Sequence, residues 1–506
     1  MNKTNTFYFL IFLLLFPFFT NANDLLIENV SIESANASNK TAKIQFDISW
    51  ENSWRVSSAQ NNWDAVWVFV KFKNTTTDYW QHATLSYGSG HSSIGATTAS
   101  IDSDDDTGTG FSKGAFIYSA ANKSQSKAEY QVQLEWQYGE DGQGDDDTFE
   151  IKVYGIEMVY VPSGAYYLGT GGSTESQAFY MYANDNVNDK SNPYFVDSEG
   201  VITVSAENGS LYHTEGGNSG SLIIGDIPAD FPKGYAAFYC MKYEITQGQY
   251  ADFLNMLRST QVDVNLINAT SSYGNNLTTD GSTYSSSTPY FPQVQMNIRK
   301  ILNYLEWACL RPMTELEYEK ACRGTQTPVQ GEYAWGTTDI NDAGEYSFDN
   351  AGTENVTVTD SDYSTTSGNV AISATTEASP KPFRVGVFAT STSDRVSSGA
   401  TYYGIMNMSD NVLELVVPVS LEKARDFDGT HGTGALDNIG NYSTSSWPNT
   451  GGDDGTDYGY GTRGGAYVFN KTFCLVSTRN YAAKLFDDDS RDRECGGRGV
   501  RTAPSN

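Results

Sequence analysis

At 506 residues the chain is long enough for two or three hydrophobic cores, and 39% hydrophobic with 13% aromatic residues exclude a disordered polymer. A formal charge of −29 repels phosphate backbones, which excludes nucleic acid as a partner, and supplies hard oxygen donors of the kind calcium takes. Five scattered cysteines (Cys240, Cys309, Cys322, Cys474, Cys495) form no CxxC pair and no disulfide scaffold, and with four histidines they show no zinc spacing.

The chain opens with Lys3, the apolar run Phe7–Phe19, and the small or polar residues Thr20-Asn21-Ala22-Asn23. Basic, then apolar, then small is the pattern of a secretory signal peptide, expected over 1–22 with cleavage near Ala22. Thirteen residues at about 1.5 Å each cover about 20 Å, short of the roughly 30 Å hydrocarbon core, which disfavours a membrane anchor. No cysteine precedes Cys240, so no lipid-anchoring cysteine is expected, and no later segment is apolar enough to span a bilayer. The mature chain is expected to be secreted, periplasmic or at the cell surface, with a charge of −29 − 1 = −30 after loss of Lys3.

Residues 24–153 predict an all-β, Ig-like sandwich. Ile44, Phe46, Ile48 and Trp50 alternate with polar neighbours, as do Tyr130, Val132, Leu134, Trp136 and Tyr138. The nearly unbroken run Val66–Phe72 predicts a strand buried on both faces. Acidic turns fall at Asp102–Gly110 and Gly139–Asp147. Asp102, Asp104 and Asp106 imitate the start of an EF-hand loop, but Thr107 stands where its glycine belongs and Lys113 where its glutamate belongs, so a solvated turn is expected.

From residue 154 to 506 the pattern becomes mixed α+β. Thr246 with Gln249 is a capping box opening a helix whose apolar face carries Tyr250, Phe253, Leu254 and Leu257. Ile298, Ile301, Leu302 and Leu305 repeat that spacing. Thr314 with Glu317 forms a second box, stapled by Met313 and Tyr318, and Tyr318, Ala321 and Cys322 share a core face. Polar stretches near 171–232, 259–290, 351–380 and 430–462 are expected to be insertions or functional loops.

Several segments of this second part resemble the formylglycine-generating enzyme (sulfatase-modifying factor) family. They are Ile156–Gly164, Met241–Thr246 with the helix after it, Arg311–Gly324, Tyr333–Gly336, Val385–Phe388, Asn407–Leu415, Arg463–Gly465 and Arg498–Arg501, in the family's order. The resemblance implies a C-type-lectin-like fold rich in ordered loops. It also implies a copper(I) site of two cysteines, five residues apart, that oxidises a sulfatase cysteine to formylglycine. Here the second position is Cys474 but the first is Phe469, and a phenyl ring cannot ligate copper, so copper is not expected. The position paired with Cys322 in a family disulfide is Arg479. The resemblance further implies a calcium site with side-chain oxygens of Asn407 and Glu414 and main-chain oxygens of Asp410 and Val412. A second calcium loop would begin at Asn350 and Ala351.

The expectation is therefore a secreted binding or structural protein without catalysis, facing an extracellular protein or glycan. Its ligand-binding residues are expected between Arg463 and Arg501, at Tyr467, Phe469, Asn470, Phe473 and Asn480, types that combine aromatic area with adaptable hydrogen bonding. Three alternatives stand beside it: an oxidase pairing Cys474 with Cys322 or Cys495, a retroelement-diversified variable protein, and an envelope or motility component.

Overall fold

The computed structural model describes residues 25–504 except 78, 107, 173–174, 215–218, 268–270, 343, 351–355, 376–380, 391, 451–458 and 484–492. The expected signal peptide lies outside the described residues, as does Ala351. Among the described residues the chain is rich in β-structure, spread over several sheets, with four α-helices, none long and apolar enough to cross a membrane.

The alternating segments form the long strands their periodicity predicts. β1 (Leu26–Asn36) pairs with β2 (Thr41–Arg55), which pairs in turn with the strand Lys123–Trp136. In β2 every second residue from Ala42 to Trp50 is buried. A second sheet runs in the order Val500–Thr502, Phe238–Met241, Phe149–Val161, β3 (Asp64–Asn74), Ala115–Ser119, Ala99–Asp102. Val66, Val68, Val70 and Phe72 of β3 share one apolar cluster with Ile44, Phe46, Ile48 and Trp50 of β2. The alternate residues Ala65, Trp67 and Phe69 belong to a different cluster, with helix residues Phe253, Tyr304 and Trp307. Both faces of β3 are thus apolar because both are covered.

The strand Phe149–Val161 runs through the 153/154 boundary without a break. Its residues from Phe149 to Val159 pair with β3, and Met158–Val161 pair with Phe238–Met241. One hydrogen-bonded sheet therefore joins the first part of the chain to the second. Trp67 Nε1 donates to Ala308 O at 2.9 Å across the same junction. The acidic turn also reaches across. Asp106, expected in a solvated turn, is half-buried with its side chain largely covered, and it ion-pairs with Arg501, because the turn folds against the chain's last strand instead of into water.

α1 (Gln247–Leu254) and α4 (Glu315–Arg323) carry the two expected capping boxes, each with both reciprocal bonds formed. α3 (Ile298–Trp307) starts at Asn297, whose side chain accepts from Lys300 N. α2 (Ser259–Asn265) and the hairpin Leu277–Thr279/Tyr284–Ser286 occupy the 259–290 stretch. The 171–232 stretch is not a plain loop either. It holds short strands at Phe179–Met181, Ile202–Val204, Leu211–His213 and Gly225–Ile227, which form one small sheet.

Candidate functional site

α4 positions the site through its charges. Glu315, Glu319 and Arg323 lie one turn apart and all three are buried. Arg463 reaches Glu315 at 3.0 Å and Glu319 at 2.8 Å, and Arg479 grips Glu315 through Nε at 2.8 Å and Nη2 at 2.9 Å. Arg323 pairs with Glu319 at 3.2 Å and with Glu332. Burial alone would raise the Glu315 carboxyl, but Arg479 and Arg463 more than offset it and hold it below its ordinary range. The segment 463–479 is therefore fastened at both ends to one carboxylate. The family's disulfide partner position, Arg479, has become an ion-pair anchor.

Between those anchors the chain turns at Gly464, in the left-handed region at φ +77°. The next glycine is needed for space, since a Cβ on Gly465 would lie 2.3 Å from Cys474 Sγ. Asn470 caps a short 3-10 helix, Lys471–Phe473, by accepting from Thr472 N. Cys474 follows, fully buried in a cluster with Tyr333, Trp335, Val370 and Ile372, and burial pushes its thiol well above its ordinary range. All five cysteines are buried free thiols, and Cys322, Cys474 and Cys495 sit in three different apolar clusters.

Among the expected ligand-binding residues, Asn470 is exposed and Phe469, Phe473 and Asn480 are half-buried. Tyr467 is the correction. It is fully buried with Val294 and Val412, and its hydroxyl donates to Arg493 O at 2.8 Å. The turn at Gly464-Gly465 carries the Tyr467 ring inward, where a main-chain carbonyl satisfies the hydroxyl. Its place among the surface aromatics is taken by Tyr481. Phe469, Phe473 and Tyr481 form a three-ring cluster with centroids 5.0, 5.5 and 5.6 Å apart.

The polar loop 407–414 lies under this segment, since Asn411 O accepts from Tyr467 N. Asn407 and Asn411 both adopt left-handed backbone. Asn407 Oδ1 accepts from Gly386 N at 2.8 Å and its amide donates to Asp410 Oδ1 at 3.1 Å. Glu414 is held by Arg498 at 2.6 Å, and Glu244 lies 3.9 Å from the same guanidinium. Glu414 Oε2 and Glu244 Oε2 are buried without any hydrogen-bond partner. One guanidinium thus faces three buried carboxylates. Burial raises the carboxyls of Glu244 and Glu414, Arg498 offsetting only part, and raises that of Asp410 to about 6. Asn350 is an exposed left-handed residue remote in sequence from this loop.

Sequence reasoning missed Glu244, Arg498 and the ion-pair frame on Glu315. The available signal was the run of charges along α4, where the arginine partners of Glu315 lie more than a hundred residues away.

A capped helix of buried charges, fastened to a Gly-Gly loop that lies over a polar turn, places the second part among domains of the sulfatase-modifying type. The family model for the sulfatase-modifying factor enzyme 1-like domain matches residues 154–503, and the chain belongs to that family. No curated protein matches the chain.

Proposed function

We propose that the chain is a secreted, non-catalytic binding protein. In this reading a β-sandwich supports a C-type-lectin-like domain whose 463–483 loop is the recognition surface. The observation that carries it is the half-buried cluster Phe469–Phe473–Tyr481, held on a stapled frame at the place of the family's cysteine pair. Rigid aromatic rings flanked by Asn470 and Asn480 supply contact area at low entropic cost. Copper does not fit here: a soft monovalent ion takes thiolates, Phe469 supplies none, and Cys474 is a protonated thiol sealed among apolar side chains. The two-ended frame also favours the retroelement-diversified reading, because between Arg463 and Arg479 the exposed and half-buried positions 469–473 can change without unfolding α4.

Calcium does fit. Arg498 offsets only part of the cost of burying three carboxyl groups, and the two orphaned carboxylate oxygens offer hard ligands for a divalent cation. Asn407, Glu414 and the main-chain oxygens of Asp410 and Val412 would hold it, and the ion would brace the floor of the recognition loop.

The test is a display library of the full chain randomised at Phe469, Asn470, Phe473 and Asn480 and panned against myoglobin, a protein of near-zero net charge at neutral pH. The expected result is folded binders with near wild-type melting temperatures. If randomisation there unfolds the chain as readily as randomisation at Tyr318, the segment is core and the reading fails.

A further inference from the structure

We propose that a cleft lined by Arg299 and by residues between Asn441 and Thr450, away from the recognition loop, is a binding site for a neutral saccharide. The cleft encloses about 490 Å³, within the range of small-molecule sites. Among the described residues its lining contains no carboxylate, and its one charged member is Arg299. Tyr442 and Trp447 supply rings 5.6 Å apart at 30°, and the rest is amides and hydroxyls.

α3 makes the cleft rigid. Asn303 Oδ1 accepts from Tyr442 N at 2.8 Å, and the buried Glu306 carboxylate accepts from Ser443 Oγ at 2.9 Å and Thr444 Oγ1 at 2.6 Å. Arg299, Asn303 and Glu306 are spaced by four and three residues, so one stripe of the helix carries the whole wall.

The hydrogen bonds to Glu306 also set the ligand's polarity. Ser443 and Thr444 spend their only hydroxyl protons on the carboxylate, so each presents lone pairs alone to the cleft. Asn441 also lines it, and its Oδ1 is a buried acceptor with no partner. Acceptors on these three residues, beside the donors of Arg299 and the amides, favour a ligand that donates as well as accepts. Sulfate and carboxylates only accept and leave those oxygens without a donor. Ring hydroxyls donate and accept together, and the C–H faces of a hexose match an aromatic wall.

The test is saturation-transfer NMR on the full mature chain with D-glucose, D-galactose, D-mannose and N-acetyl-D-glucosamine. Transfer from at least one sugar is expected, unchanged by inorganic sulfate and unchanged in Phe469→Ala, which separates this site from the recognition loop. Asn441→Leu should weaken that binding about tenfold, the scale of one buried hydrogen bond, while its melting temperature stays level or rises because an orphaned acceptor has gone. Asn449→Ala, at the exposed rim, should weaken binding in a fully folded chain. No transfer from any of the four sugars, competition by sulfate, or wild-type affinity in Asn441→Leu would each overturn the proposal.

Discussion

Replacing Glu315 by Gln is the sharpest perturbation of the frame. The side chain is buried, binds Arg479 twice and Arg463 once, and accepts from Val419 N at 2.9 Å. Glutamine keeps the volume but turns an NH2 group toward two guanidinium groups and removes the charge that compensates them. Breaking one side of a buried ion pair costs about 3–5 kcal/mol; here Arg479 loses the carboxylate it grips while Arg463 keeps Glu319, so a loss within that range is expected. Replacing Glu315 and Arg479 together by Met and Leu should cost far less, because Arg463 keeps Glu319 and Arg323 keeps Glu332. The assay is equilibrium urea unfolding at neutral pH, repeated down to pH 3. The arginines hold the carboxyls of Glu315 and Glu319 below their ordinary range. Their stabilisation is therefore complete above the unfolded value of about 4.3 and is lost as pH falls through the folded one. Wild type should lose stability in acid more steeply than Glu315→Gln. A neutral-pH loss below about 1 kcal/mol, the scale of a solvated surface pair, would refute the frame.

Further outcomes follow from other buried groups. Burial lowers the Lys71 amine to about 7, with Cys309 offsetting part. The unfolded lysine keeps its proton up to about 10, so stability should rise with pH between those values, by at most about 1.4 kcal/mol per unit, and Lys71→Met should flatten the slope. Chelator should lower the melting temperature by removing an ion bound only to the folded state, and Glu414→Ala should abolish that response; identical melting curves would contradict the site. A chain starting at residue 154 loses the β3 partner of Gly155–Val159 and bares Ile156 and Met158, so it should not unfold cooperatively; a sharp transition would show that the shared sheet is dispensable.

The elements that could be read from sequence are those specified locally. The boxes at Thr246 and Thr314 need only four residues each, and the alternation in β2 records a single covered face. The run in β3 announced two covered faces, though not that the second cover is α1 and α3. The short strands between Phe179 and Ile227 are three residues long, too brief for any periodicity. Tyr467 looked like its neighbours Phe469 and Phe473, and only the Gly-Gly turn and a distant carbonyl decide that it points inward. Asp106 was misplaced for the same reason, since Arg501 lies almost four hundred residues further along the chain. The Phe469 substitution was legible at once, whereas the staple at Arg479 depends on a contact with Glu315, 164 residues away.

The central claim is that this family member does no oxidative chemistry and uses the same place for recognition. It is tested most directly by incubating the mature chain with copper(I) and a cysteine peptide of the sulfatase type, measuring bound copper and peptide aldehyde together. The account predicts no stoichiometric copper and no aldehyde, with copper binding gained in Phe469→Cys. One equivalent of copper on the wild-type chain, with aldehyde forming on the peptide, would contradict it.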